Sequence, residues 1–345
     1  MTLRGALIGC GFFAANHMRA WADLPGAEIV AVCDRDPDKA NGFAREFGAR
    51  AFTDAAAMLA EVRPDFTDIA TTSATHRPLV ELAARHSGGV ICQKPLADTL
   101  EDAEAMVAAC AAAGIPLLVH ENFRWQEPIR TMLEKLAAGE IGHPHFLRLS
   151  FRHAFDIYAG QPYLAEIADL ALTDVGPHLF DMARALMGEV ETVYCQAQRL
   201  NPRVRGQDAF LAQLGHAGGG VSSIECSFFS HYHPDRFVQS LAVVEGEDGS
   251  MELLENYRLR IHRAGAASEI DLEPPVPAWG QKPWHLVQDS VLAFQRHAIE
   301  ALNGRVQGQP TGADNLRTFA LTLAAIRSAA TGQAIALPKT DEGQG

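Results

Sequence analysis

The sequence predicts a doubly wound α/β domain built on a parallel sheet, followed by an α+β domain with a large, mainly antiparallel sheet. Over the first 120 residues, short apolar runs alternate with helical stretches, the pattern of strands buried on both faces and joined by crossover helices. After residue 119 the segments lengthen and alternate apolar with polar positions, as strands with one solvated face do. A chain of 345 residues is long enough for two such cores.

Residues 3–8 form the first apolar run, followed by the turn Gly9-Cys-Gly11-Phe12-Phe13-Ala14 and a helical stretch, 14–24, that Pro25 and Gly26 end. A strand at 29–33 leads into Asp34-Arg35-Asp36-Pro37 and a helix to Phe47. A small strand near 51–52, a helix at 54–62, a strand at 66–70, a helix at 78–86, a buried strand at 90–92, a helix at 100–113 and a strand at 116–119 complete the alternation. Beyond it, a helix at 129–138 precedes strands at 145–151, 192–200, 209–214, 221–228, 238–245, 251–254 and 257–262, and two helices follow at 285–302 and 315–331. The expected division is therefore a dinucleotide-binding domain over 1–121, a substrate-binding and oligomerisation domain over 122–338, and a polar tail, 339–345.

Composition excludes several classes. With 29 basic against 42 acidic residues the formal charge is −13, unsuited to a general nucleic-acid binder, which needs clustered Lys and Arg. The longest uncharged, mostly apolar run, 105–119, carries Gly114 and Pro116, so it reads as helix, turn and strand and no membrane span is expected. The first residues lack the pattern of a secretory leader, and a cytoplasmic location is expected. The six cysteines are scattered without a Cys-x-x-Cys, which predicts small core residues rather than disulfides or a metal site.

Between a strand and a helix, Gly9-x-Gly11-x-x-Ala14 has a mechanism: the first glycine makes the tight turn, the second lets a pyrophosphate approach the backbone, and the small Ala14 lets helix and strand pack closely. The helix start offers N–H groups to phosphates. Asp34 follows Ala14 by 20 residues at the end of the second strand, where a carboxylate can accept from both ribose hydroxyls. These are the marks of a Rossmann domain. Asp34 would repel a 2′-phosphate and favours NAD, whereas Arg35 beside it could hold that phosphate, so NADP is the second choice.

Lys94 follows a buried strand at the carboxyl edge of the sheet, where open α/β sheets bind ligands. A cation there can stabilise the alkoxide that develops when an alcohol loses hydride. Asp174 and His178 stand four residues apart at the start of a helix that Pro177 suits; a neutral imidazole can take a hydroxyl proton while the carboxylate orients it. A capping Asp with a core His fits the same spacing. The segment 120–126 also begins at the carboxyl edge: Asn122 can meet the nicotinamide end of a cofactor, while Arg124, Trp125 and Gln126 offer donors and an apolar plate to a polyhydroxylated ring. Tyr158, Gln161 and Tyr163 are weaker substrate candidates. His143 with His145, and His231 with His233, lack a third ligand at useful spacing, so no metal is expected.

These residues resemble the Gfo/Idh/MocA family of nicotinamide-dependent sugar and cyclitol oxidoreductases over nearly the whole chain. The resemblance rests on the glycine turn, on Asp34, on Cys92-Gln93-Lys94-Pro95, where the family usually reads Glu-Lys-Pro, and on Asp174-Val-Gly-Pro-His178, which is similar to its Asp-x-Gly-x-His. Gln-Lys-Pro combined with His120-Glu-Asn-Phe-Arg-Trp-Gln126 looks most like the family's branch of pentose dehydrogenases acting on apiose. The resemblance implies Lys94, Asp174 and His178 as catalytic residues. It implies a cofactor site of Gly9, Gly11, Phe12, Phe13, Ala14, Asp34, Arg35, Thr72, His76, Gln93, Lys94 and Asn122. Sugar contacts would come from Lys94, Arg124, Trp125, Tyr163, Asp174 and His178. The expected activity is NAD-dependent oxidation of an aldose at C1 to the lactone, in a homodimer or homotetramer formed through the second-domain sheet. A cyclitol or ketose oxidoreductase, an enzyme that keeps its cofactor bound and uses it transiently, and a non-catalytic nucleotide-binding sensor are the alternatives.

Overall fold

The computed structural model describes residues 2–338; the expected polar tail lies outside the described residues. In the first part, β1 (Leu3–Ile8), α1 (Ala14–Asp23), β2 (Ala27–Cys33), α2 (Pro37–Phe47), β3 (Arg50–Phe52), α3 (Ala55–Val62), β4 (Phe66–Ile69), α4 (His76–Ala83), β5 (Val90–Gln93), α5 (Leu100–Ala113) and β6 (Leu117–His120) alternate as the pattern predicts. The strands pair in parallel in the order β3-β2-β1-β4-β5-β6. Strand order reverses between β1 and β4, the switch point at which such sheets bind ligands.

Local chemistry sets the boundaries. The Asp36 carboxylate accepts from the N–H groups of Asp38 and Lys39 at the start of α2, where Pro37 occupies the first turn, and Thr99 caps α5 by accepting from Asp102 N–H. Left-handed Gly48 and Gly114 close the same two helices. Met18 and Trp21 of α1 pack with Leu7, Phe66 and Ile91, and the Trp21 and Phe66 rings lie 4.9 Å apart.

The second part contains α6 (Glu127–Ala137), β7 (Pro144–Arg152), α7 (Leu170–Asp174), α8 (Gly176–Met187), β8 (Val190–Gln198), β9 (Ala209–His216), β10 (Val221–Ser227), β11 (Leu241–Gly246), β12 (Gly249–Leu254), β13 (Arg258–Arg263), β14 (Ala266–Asp271), α9 (His285–Leu302), α10 (Gly312–Thr331) and β15 (Ile335–Ala336). Its sheet runs β14-β13-β12-β11-β7-β10-β9-β8-β15. All pairs are antiparallel except β7 with β10. Leu147, Leu149 and Phe151 of β7 face inward, toward α8, while Arg148 and Arg152 face outward and pair with Glu225.

Three features went unpredicted. β14 is an exposed edge strand with few apolar residues, held by Glu269 and Asp271 against Arg258 and Arg260 of β13, so hydrophobic alternation does not mark it. β15 has only two residues and α7 only five, too short for periodicity to register.

The two compact units interleave along the chain. Unit 1 takes residues up to Trp125, then Pro277–Trp279 and Gln288–Phe319; unit 2 takes Gln126–Val276, Gly280–Val287 and the chain from Ala320 onward. Phe294, Ala298 and Ile299 join the unit 1 core, so that core draws on residues far beyond a contiguous 1–121 segment.

Candidate active site

In unit 1 the turn after β1 is built for close approach. Gly9 has φ of +98°, and a Cβ there would stand 2.6 Å from the Ala70 carbonyl oxygen, so only glycine is accommodated. At Gly11 the space is open, with nothing within 4 Å of the position a Cβ would take. Ala14, fully buried, opens α1. The helix start has no side-chain cap and no acid in its first turn, which leaves its dipole and N–H groups suited to an anion. Phe12 is exposed, and Phe13 lies edge-on to His17 and His120. At the end of β2, Asp34 accepts from Cys10 N–H at 2.8 Å and from Asp36 N–H at 2.9 Å, so it fastens the glycine turn to the next crossover. Arg35 and Thr72 are exposed at the same edge. An open glycine turn, an uncapped helix start and a strand-end carboxylate fit a dinucleotide.

Lys94 follows β5 directly and is half-buried. Its main-chain N–H donates to Gln93 Oε1 at 2.7 Å. Glu121, after β6, is fully buried; burial pushes its carboxyl up to about 7, against the Lys94 and Arg124 cations, which lower it. Asn122 is buried and donates from Nδ2 to Ser290 Oγ at 2.7 Å.

In unit 2, Asp174 ends α7, and Val175 carries the chain in helical geometry into α8, where His178 is buried in the first turn. The Asp174 carboxylate acts electrostatically on His153, Tyr158 and Cys226. His153 is buried, and desolvation holds it down to about 4, so it is neutral near pH 7. Its ring packs against Phe151, Phe228 and Phe237. His153 Nδ1 and the Tyr158 hydroxyl are buried with no hydrogen-bond partner among the described residues. Tyr163, by contrast, is exposed and donates its hydroxyl to Gln161.

The geometry agrees with two family models: residues 3–121 match the oxidoreductase family with an NAD-binding Rossmann fold, and residues 129–252 match the GFO/IDH/MocA C-terminal domain. A D-apiose dehydrogenase of Rhizobium rhizogenes is 45% identical over 96% of this chain and 97% of its own length. The chain belongs to the Gfo/Idh/MocA oxidoreductase family. A D-apiose dehydrogenase of Paraburkholderia graminis is 46% identical over 97% of this chain and 89% of its own. The crystal structure of an oxidoreductase from Agrobacterium radiobacter in complex with NAD+, L-tartaric acid and magnesium superposes with a TM-score of 0.95 at 44% identity, covering 97% of this chain and 98% of that one.

Four residues of the site that the Gfo/Idh/MocA resemblance implies have partners within the protein. His76 is fully buried, with Nδ1 3.1 Å from the Leu96 carbonyl and Nε2 3.2 Å from that of Thr71; burial lowers its pKa, and the ring braces two loops. The Gln93 amide is spent on Lys94 and His17. Arg124 is buried and pairs with Asp314, and the Trp125 ring lies 4.4 Å from that of His297. Sequence reasoning passed over Glu121 and His153. The first lies inside the singled-out segment 120–126, and the second continues the inward alternation of β7, two residues past Phe151, a position at which a histidine is worth noticing.

Asp34→Ala should shift nucleotide preference toward NADP by about tenfold or more, because it removes a ribose acceptor and the repulsion of a 2′-phosphate together. Since Cys10 N–H also loses its acceptor, affinity for both nucleotides falls; the ratio from parallel titrations is the readout, and an unchanged ratio refutes the assignment.

Glu121 binds a proton more tightly in the folded state than in the unfolded one, so wild-type stability falls as pH rises from about 4.5 through about 7. Glu121→Gln lacks that loss. Relative to wild type it should gain up to about 3 kcal/mol between about pH 4.5 and 8, measured by denaturant titration at both pH values; a pH-independent difference would mean that Glu121 is ionised throughout.

Proposed function

We propose that the protein is an NAD-dependent sugar dehydrogenase that oxidises an aldose, apiose or a related pentose, at C1 to the lactone. The observation that carries this is the 45–46% identity to two D-apiose dehydrogenases over almost the full chain. Gly9, Gly11, Phe12, Phe13 and Ala14 would hold the pyrophosphate, Asp34 and Arg35 the adenosine ribose, with Thr72 and Asn122 further along the same edge. NAD, when bound, accepts the hydride from the sugar carbon. Asp34 supports NAD over NADP.

Lys94 supplies positive charge to the hydroxyl oxygen as negative charge develops there. His178 takes the hydroxyl proton, and Asp174 orients the imidazole and stabilises it once protonated. His153 and Tyr158 present buried polar atoms lacking protein partners among the described residues, which suits recognition of further sugar hydroxyls, since a site built around such groups rejects ligands that leave them unmatched. Tyr163, exposed beside Gln161, is the remaining sugar contact. The compartment is the cytoplasm, supported by six buried, free thiols. The unit 2 sheet joins copies of the chain as a dimer or tetramer; its outward Leu211 and Val221 are exposed, and sedimentation velocity that returns only a monomer refutes this.

A panel of aldoses and cyclitols is assayed with NAD and with NADP for the absorbance of reduced nicotinamide. NADH formed with a pentose is expected. Turnover confined to cyclitols, or a copurifying cofactor that cycles without net reduction, overturns the substrate assignment.

Lys94→Ala should lower kcat by about 10² to 10⁴ with NAD affinity within a few-fold of wild type. Equal loss of nucleotide binding would make Lys94 a cofactor-positioning residue.

For oxidation the base must be neutral, so kcat/KM should rise with pH on one limb. His178→Ala should abolish that limb and Asp174→Asn should cut the rate. A limb that survives in His178→Ala assigns the proton to another group.

A further inference from the structure

Gln93, Lys94, His17, Trp21 and Asp68 form one chain of hydrogen bonds in unit 1. Gln93 closes β5 and is buried; its Oε1 accepts from Lys94 N–H at 2.7 Å, and its Nε2 lies 3.0 Å from His17 Nε2. On the other side of the ring, His17 Nδ1 lies 2.9 Å from Asp68 Oδ2, which also accepts from Trp21 Nε1–H at 2.8 Å. The direction of every bond follows. Since a main-chain N–H can only donate, the amide oxygen must face Lys94 and the amide nitrogen must face the histidine. An amide nitrogen cannot accept, so His17 Nε2 offers its lone pair and the ring proton sits on Nδ1, pointing at Asp68.

The ring has no freedom to do otherwise. His17 is fully buried and stacks on His120 at 4.0 Å, while Phe13 meets it edge-on and the His17 carbonyl accepts from Gln295 Nε2. Asp68 and His120 are titratable side chains against it, and Asp68 is itself fully buried.

We propose that Gln93 is a positioning residue for Lys94: it anchors the lysine's main chain to the buried His17–Asp68 pair through an amide that donates at one end and accepts at the other. A carboxylate at position 93 could still accept from Lys94 N–H. It could not donate to His17, so the ring would need a second proton, placing an imidazolium between two carboxylates. The amide makes the same brace without adding a negative charge beside Lys94. This rests on Lys94 acting at the reacting oxygen, and the test separates the two.

The experiment uses the full chain labelled with ¹⁵N-histidine, with the His17 resonances assigned by their disappearance in His17→Gln. Wild type should show Nδ1 protonated and Nε2 bare, and Gln93→Glu should show both nitrogens protonated. In steady state, Gln93→Leu should lower kcat about tenfold or more while the NAD dissociation constant stays within about threefold, and Gln93→Glu should recover most of that loss. A wild-type ring protonated on Nε2, an unchanged kcat in Gln93→Leu, or a parallel loss of kcat and NAD affinity overturns the proposal. If Gln93→Leu does not fold, an unaltered His17 ring in Gln93→Glu overturns it alone. Should Lys94→Ala keep its kcat while the ring behaves as stated, the role of Lys94 fails and the hydrogen-bond chain stands.

Discussion

A parallel sheet hidden from water on both faces can be continued only through crossover helices, because each new strand must start at the same end as the last. Every strand of β1 to β6 therefore delivers its carboxyl end to one edge. The glycine turn follows β1, Asp34 follows β2, Thr72 and His76 follow β4, Lys94 follows β5 and Glu121 follows β6. Residues far apart in sequence are collected by topology rather than by any local signal. Asp34 shows how closely the edge is tied together, because the carboxylate suited to a ribose also accepts from Cys10 N–H in the neighbouring turn. One side chain thus ties the end of β2 to the glycine turn.

Burial makes polar groups costly unless each finds a partner. Several in the scaffold do: Asp208 accepts from the N–H groups of Leu200 and Asn201, His216 bridges the Gly188 carbonyl and the Ser222 hydroxyl, and Cys195 N–H donates to Ser328 Oγ. His153 Nδ1 and the Tyr158 hydroxyl, within the electrostatic reach of Asp174, are among the buried polar atoms without a partner among the described residues, as are Asp68 Oδ1, Ser240 Oγ and Gln295 Oε1.

The six parallel strands, their helices and most of the second sheet were legible because hydrophobic period differs between half-buried strands, doubly buried strands and helices. Edge strand β14 was illegible for the same reason: held by charge pairs on an exposed edge, it has no apolar period to read. For the candidate site, sequence located residues on an edge but not the direction in which their side chains turn. Arg124 turns to Asp314, 190 residues away, and Asn122 to Ser290, 168 residues away; nothing near either residue announces those partners. The same long-range packing places Phe294, Ala298 and Ile299 in the core of unit 1, which no contiguous division of the chain anticipates.

What distinguishes the surroundings of Lys94 is where negative charge is withheld. A carboxylate directly before the lysine would neutralise part of its field at the distance where Coulomb interaction is steepest. Gln93 keeps the hydrogen bond to the lysine main chain and omits the charge. Glu121, which does interact electrostatically with Lys94, is so thoroughly desolvated that it holds its proton up to about pH 7. On the acid side of neutrality Gln93 carries no charge and Glu121 largely keeps its proton, so neither weakens the field of the ammonium. On the alkaline side Glu121 ionises and offsets part of that field. A neutral residue at position 93 lessens that offset by adding no second carboxylate to that of Glu121.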